Sequence, residues 1–258
     1  MVAAMDDNGV IVGQEKFPTP GSYDAFKQQL IASLQSLSEN DFRAVGVGIP
    51  GKIDRDRGVG LDFGHLKWHN VPVQSDCEKI FACPAVVEND ANLGGLSEAM
   101  LLPQYKKVLY VTVSTGIGIG LIDSGEIDPG LADGEGGHML IEHGGKLEAW
   151  ENFASGRALV AKYGKRAEEL IDQSSWKQFA HDLSRGFIEL IAVIEPDVIV
   201  VGGSVGHYFD RYQDFLVSYL KKYETPLITI PPFQKAARPD EAVVYGCYDI
   251  AKRLYGTR

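Results

Sequence analysis

Four groups of residues in this 258-residue chain are of types, and at spacings, that could do chemistry. The first is Asn89-Asp90, which closes the apolar run Ala85-Val86-Val87. In α/β sheets ligands collect outside the carboxyl ends of strands. An aspartate there can take a proton from a hydroxyl, and the amide beside it can both donate to and accept from other hydroxyls. The same aspartate also reads as the N-cap of a helix opening at Ala91. The second group is Thr115-Gly116-Ile117-Gly118-Ile119-Gly120. It sits between two strand-like runs and no lysine follows it, so neither the dinucleotide fingerprint nor the P-loop fits. A Thr-Gly turn still aims hydroxyl and N–H groups at one spot and suits phosphate, although an ordinary glycine-rich hairpin would look the same. The third is Gly202-Gly203-Ser204, a strand-to-helix turn whose missing side chains admit a flat ring or a phosphate. Two such turns together suggest a nucleotide. The fourth is Glu135-Gly136-Gly137-His138 with Glu151, where two carboxylates and an imidazole suit a polyhydroxylated ligand. A metal is the competing reading. The His-rich or Cys-rich spacing of a zinc site is absent, so no metal site is expected.

These residues need strands and helices to hold them. Val2–Met5, the Asp7-Asn8-Gly9 turn and Val10–Val12 read as a hairpin with a type I′ turn. Pro18 and Pro20 stop that strand, and Ser22 can cap a helix with Phe26, Leu30, Leu34 and Leu37 on one face. Residues 44–49 read as a buried strand ending at Pro50-Gly51, 52–75 as loop, and 85–87 as a strand followed by a helix to about Leu101. Two adjacent strands follow at 108–113 and 119–123. Helices are expected at about 152–163, 174–194 and 206–222. The middle one stacks Trp176, Phe179, Leu183, Phe187, Leu190 and Ile194 at helical spacing, a core stripe rather than a cofactor face. Pro196 ends it, and Val198–Val201 reads as a buried strand. Strands meeting helices through glycine turns make an α/β protein.

Composition narrows the function classes. Lys+Arg total 25 against Asp+Glu 35, a net charge of −10, which argues against general nucleic-acid binding. The hydrophobic share of 45% is enough to fill a sizeable core and argues against a disordered chain. No apolar run approaches the ~20 residues of a membrane span, and the first ten residues carry two acids and no base, unlike a secretory signal. Cys77, Cys83 and Cys247 show no CxxC spacing and fit buried thiols in a reducing compartment, so a cytoplasmic location is expected. The 29 glycines cluster at 46–51, 58–64, 116–120, 125–145 and 202–206, which reads as loops that let a ligand approach the backbone.

Taken in order, the motifs resemble the ROK family (repressor, open reading frame, kinase) of sugar kinases. They are Gly48-Ile49-Pro50-Gly51, Glu88-Asn89-Asp90-Ala91-Asn92, Thr115-Gly116-Ile117-Gly118, Gly134-Glu135-Gly136-Gly137-His138, Glu151-Asn152-Phe153-Ala154-Ser155-Gly156 and Pro196-Asp197 through Gly202-Gly203. Residues 242–247 resemble the family's closing helix. The resemblance implies the two-lobed actin-like ATPase fold (ribonuclease H-like, α/β) with a ligand cleft between the lobes. The small lobe would hold residues 1–89 completed by 241–258, and the large lobe 90–240. It implies ATP-dependent phosphorylation of a hexose, glucose or a close relative, with Mg²⁺ accompanying ATP. Asp90 would be the general base, and Asn89, Glu135, His138 and Glu151 would hold sugar hydroxyls. Thr115, Gly116 and Gly118 would cradle phosphate, and Gly202 and Gly203 would lie against the adenosine. A homodimer is implied, with no nucleic-acid or membrane partner.

Three departures qualify the resemblance. The cysteine-rich zinc motif that most relatives carry before the Glu151 position is replaced by residues 143–150 without cysteine, so no structural zinc is expected, as in the zinc-free glucokinase-like members. The sugar loop reads His65-Leu66-Lys67-Trp68 where relatives often begin Asn-Leu, which leaves the sugar open. The family's opening strand with its Asp-x-Gly-Gly-Thr run has no counterpart, and Val2–Met5 aligns with the strand after it. Loss of a central strand would strand backbone groups at ~1–3 kcal/mol each, against total stabilities of ~5–15 kcal/mol. The natural chain is therefore expected to begin upstream. Two other classes compete with the kinase: a catalytically silent sugar-binding or scaffold relative, and a sugar-responsive repressor, which needs a helix-turn-helix of ~60–90 residues. A polyphosphate-dependent kinase is a variant of the first reading.

Overall fold

The computed structural model describes residues 1–37, 41–64 and 66–256. Contacts group the chain into two units, Met1–Ser97 with Val243–Arg258, and Glu98–Ala242. Among the described residues no helix is long and apolar enough to cross a membrane.

The first unit opens with antiparallel strands β1 (Val2–Met5) and β2 (Ile11–Glu15). Their turn is not type I′, which needs two residues at positive φ; among its residues only Gly9 has one, at 79°. The Asp6 carboxylate instead accepts from the Asn8 and Val10 N–H groups at 2.9 and 2.8 Å and sets a longer loop. Helix α1 (Tyr23–Ser36) starts at Ser22, whose hydroxyl accepts from Ala25 N at 3.3 Å, and buries Leu30. Strand β3 (Val45–Ile49) is followed by an antiparallel sheet, β4 (Lys52–Asp54), β5 (Val59–Phe63) and β6 (Leu66–Val71), then by α2 (Val73–Phe81). These elements replace the loop expected over 52–75. The strands are three to six residues long and mix apolar with charged residues, so composition alone resembles a loop. Phe63, Trp68, Val73 and Cys77 from this segment build the unit's core with Leu30 and Ile49. His65 of the sugar-loop motif lies outside the described residues. Strand β7 (Ala85–Asn89) runs parallel to β3 and leads into α3 (Asp90–Ala99).

Among the described residues β1–β2 and β3–β7 are separate two-stranded sheets. Four of the five residues of β3 are only half-buried, where the sequence suggests a buried strand.

The second unit is built on β8 (Lys107–Val113), β9 (Ile117–Asp123) and β10 (Glu126–Ile127), followed by the hairpin β11 (Leu140–His143) and β12 (Lys146–Ala149). Helices α4 (Trp150–Ala154), α5 (Gly156–Tyr163) and α6 (Gln173–Ile194) come next. Strand β13 (Val198–Gly202), helices α7 (Gly203–Gly206) and α8 (Gln213–Leu220) and strand β14 (Phe233–Lys235) complete it. The main sheet has the order β10-β9-β8-β13-β14, with β13 parallel to both neighbours and buried throughout. All six residues of the α6 stripe are buried beneath it.

Two expected helices are broken. The one over 152–163 divides at Ser155, whose extended backbone and hydroxyl, accepting from Ala158 N at 3.3 Å, start α5 afresh. The one over 206–222 divides into α7, a 3-10 turn at Phe209–Arg211 and α8. The final helix, α9 (Ala242–Tyr255), returns to the first unit.

Asp172 caps α6 by accepting from the Ser175 hydroxyl, Ser174 hydroxyl and Ser175 N at 2.7, 2.8 and 2.8 Å, and these donors hold its pKa down to about 2. A carboxyl whose pKa falls on folding stabilises above its ordinary value near 3.8 and loses that contribution as the pH drops toward 2. The melting temperature of Asp172→Ala should therefore lie below that of the parent at neutral pH, and the gap should close on acidification. A gap that persists at about pH 2 contradicts this assignment.

Candidate functional site

In the first unit the candidate residues stand where β7 becomes α3. The Asn89 side chain is the helix cap: its Oδ1 accepts from Ala91 N at 2.9 Å and Asn92 N at 3.3 Å. Its Nδ2 donates to Gly51 O at 3.3 Å, which joins the Gly48–Gly51 motif to the strand end. Asp90 is thus the first residue inside the helix rather than its sole cap, although its Oδ1 also accepts from Ala91 N at 2.8 Å. Both residues are half-buried. Glycines let α9 sit directly on this scaffold. A Cβ at Gly46 would lie 2.1 Å from Cys247 O, and one at Gly246 would lie 2.0 Å from Leu93 O.

In the second unit the structure brings residues that are far apart in sequence into contact. Glu151, near the start of α4, accepts at Oε2 from Ile117 N at 3.2 Å and at Oε1 from Arg157 Nη2 at 3.0 Å. A Cβ at Gly116 would come within 2.4 Å of Glu151 Oε2, and one at Gly137 would stand 2.1 Å from Ile117 O and 3.2 Å from the same carboxylate. Glu151, the Thr115-Gly116 turn and the 3-10 turn Gly136–His138 therefore pack as one cluster. Glu135 precedes that turn and His138 ends it; both are exposed, as is Thr115. Gly118 lies within β9 opposite Thr112, so it belongs to the strand rather than to the turn.

Gly202 and Gly203 join the cluster through Ser114, which directly precedes Thr115 and is not among the candidate site residues of the sequence. Ser114 Oγ accepts from Ser204 N at 3.0 Å, its carbonyl accepts from Gly156 N at 2.7 Å, and its N–H donates to Gly116 O at 2.9 Å. One serine thus ties together the β8–β9 turn, the start of α5 and the Gly-Gly turn. Gly203 has φ +81°, and a Cβ there would meet Ser114 Oγ and Thr112 Oγ1 at 2.6 Å. An L-residue in the left-handed region costs ~1–2 kcal/mol before any collision. Gly203→Ala should therefore lower the melting temperature by roughly 2–8 °C, at ~2–4 °C per kcal/mol for a chain of this size. Thermal unfolding followed by circular dichroism checks this, and a variant that melts with the parent contradicts it. Arg157 was also missed, because nothing in the sequence pairs it with Glu151.

The stretch preceding Glu151 forms the hairpin β11–β12. His143 Nδ1 stands 2.8 Å from Glu148 Oε1 and its ring stacks on Phe153 at 4.2 Å, while Arg185 donates to the Glu142 carbonyl. The hydrogen bond from His143, with Lys146 adding to it, holds the Glu148 carboxyl below its ordinary range. Among the described residues no three His, Cys, Asp or Glu side chains are grouped to hold a metal ion. The three cysteines are free thiols, and burial pushes Cys77 and Cys247 up to about 12.

The ROK family model matches residues 1–254. A fructokinase of Streptococcus mutans is 29% identical over 248 residues, covering 86% of this chain and 82% of that protein. A putative xylose repressor of a Caldicellulosiruptor species is 28% identical, and the match covers 79% of this chain and 61% of the repressor. Among solved structures, a ROK family glucokinase from Streptomyces griseus in complex with glucose and AMPPNP superposes with a TM-score of 0.84 at 23% identity, over 97% of this chain and 95% of that one. That superposition shows the fold, the two-lobed actin-like ATPase type.

Proposed function

The chain belongs to the ROK family, and from that premise we propose that it phosphorylates a hexose hydroxyl with ATP. The observation that carries the reading is the cluster in the second unit, where Glu151 is packed against Gly116 and Gly137. The residues expected to hold sugar hydroxyls and those expected to hold phosphate are there neighbours through a single carboxylate. Family membership by itself supports sugar phosphorylation less narrowly, since its members include fructokinases, glucokinases and repressors.

In this reading Asp90 accepts the proton of the reacting sugar hydroxyl as that oxygen bonds to the terminal phosphorus, and the bond to ADP breaks. Asn89, Glu135, His138 and Glu151 hold the remaining hydroxyls. Thr115 and Gly116 receive phosphate, and Gly202-Gly203 lies against the nucleoside. Phosphoryl transfer depends mainly on positioning and on spreading negative charge, with the base contributing ~10²–10⁴-fold. Mg²⁺ keeps most of its ligands on phosphate oxygens and water when it travels with a nucleotide. The described residues group no three carboxylates or other ligands into a cage, and a metal carried on the nucleotide needs none. The bound ion would neutralise charge on the phosphates.

An ADP-release assay on a panel of hexoses tests the proposal, with polyphosphate run as a second donor. Turnover of at least one hexose with ATP is expected. Sugar binding with no consumption of either donor would instead assign the silent-binder reading, and turnover with polyphosphate alone would change the donor.

A further inference from the structure

We infer that Arg55 and Glu88 form a positioning pair that holds the Asn89-Asp90 junction in its working geometry. The inference rests on the kinase reading only in giving that geometry a purpose. Arg55 lies in the charged turn between β4 and β5, in the segment that composition suggested was loop. Its guanidinium grips the Glu88 carboxylate with two hydrogen bonds, Nε to Oε2 at 2.8 Å and Nη2 to Oε1 at 2.6 Å. Glu88 is buried, with a side chain only 8% exposed. Its Oε1 also accepts from Asn89 N at 2.7 Å and Asn92 Nδ2 at 2.9 Å.

One buried oxygen therefore fixes the backbone just before Asp90 and the side chain two residues after it. The Asn89 amide adds a second tie, to the turn between β3 and β4, through Gly51 O. Gly51 is itself pressed on β5, since a Cβ there would lie 2.3 Å from Asp62 O. Asp90 is enclosed between anchored neighbours on both sides. Arginine suits the task because its planar fork matches a carboxylate in two places, which lysine cannot do. A burial of this kind is poor economy if stability is its only purpose, because apolar pairs often serve as well. A misplacement of about 1 Å at a reacting group, by contrast, can lower a rate about 10²-fold.

Arg55→Met alone would leave a buried carboxylate unpaired and could simply unfold the unit. The decisive variant is Arg55→Met with Glu88→Gln, which keeps an acceptor oxygen for Asn89 N and Asn92 Nδ2 and deletes the charged clamp. This double variant should fold with an unchanged circular dichroism spectrum. Its kcat should fall about 10–100-fold, with the KM for sugar within about threefold of the parent. Arg55→Lys, which keeps the charge without the fork, should recover only part of the loss. Independently of turnover, the ¹³Cγ titration of Asp90 followed by NMR should shift between parent and double variant. A folded double variant that keeps kcat within about twofold, or an Asp90 titration identical to the parent's, overturns the inference. Absence of turnover in the parent would sink the kinase reading, and the titration would still decide the role of the pair.

Discussion

Asp90→Asn is expected to lower kcat for hexose phosphorylation by about 10²–10⁴-fold, the span a positioned general base contributes. Asparagine has almost the same shape, and its amide oxygen can still accept from Ala91 N, the 2.8 Å bond that Asp90 Oδ1 makes. Helix α3 should therefore start where it does now, with the Asn89 cap intact. What the substitution removes is the capacity to take a proton, so sugar affinity measured without nucleotide should stay within a few-fold of the parent. Kinetics and calorimetric sugar titration on the same preparation separate the two effects. Turnover that survives the change removes Asp90 as the base. A parallel loss of sugar affinity and of rate would make it a binding residue instead.

The second large effect is one of stability. Gly246→Ala should destabilise the first unit by about 3 kcal/mol, at the upper end of the usual overpacking range. The added Cβ would meet backbone, with Leu93 O at 2.0 Å, the carbonyl carbon at 2.5 Å and Cα at 2.8 Å, and backbone cannot rotate aside as a side chain can. At ~2–4 °C per kcal/mol for a chain of this size, the melting temperature should fall by roughly 6–12 °C. Gly46→Ala attacks the same helix from its other contact, with Cys247 O at 2.1 Å, and should behave alike. Gly21→Ala is the control, because a Cβ there meets nothing within 4 Å. If the Gly246 and Gly21 variants melt together, α9 does not press on α3 as closely as described. The result bears on function too, because α3 begins with Asp90 and α9 is packed on its Leu93.

Much of this architecture was legible before any coordinates. The α6 stripe and the β8–β9 pair follow from periodicity, because long amphipathic helices and apolar strands carry their burial pattern in residue order. The three-stranded sheet at 52–71 was not legible, since its strands are only three to six residues long and draw stability from one another and from Trp68. The breaks at Ser155 and after Gly206 were missed for a related reason. Helical spacing continues across them, and only a local cap or turn interrupts it.

The residues behind the candidate site divide the same way. Asn89, Asp90, Thr115, Glu135, His138 and Glu151 announce themselves by type and by glycine neighbours, since polar groups beside flexible turns at strand ends are rare elsewhere. Ser114, Arg157 and Arg55 do not, because a serine or an ion pair is common in any sequence and acquires meaning only through what it touches.

The sequence by itself therefore determined the family, the α/β class and the chemical inventory: a carboxylate at a strand end, glycine-rich turns, and two carboxylates with an imidazole. Only the tertiary structure decided that Glu151 lies against Gly116 and Gly137, that Ser114 joins the β8–β9 turn to the Gly-Gly turn, and that Arg55 grips Glu88. The physical reason is range. Residue type and local periodicity are written along the chain, whereas a hydrogen bond between residues 33 apart, as in the Arg55–Glu88 pair, exists only once packing has brought its partners within about 3 Å.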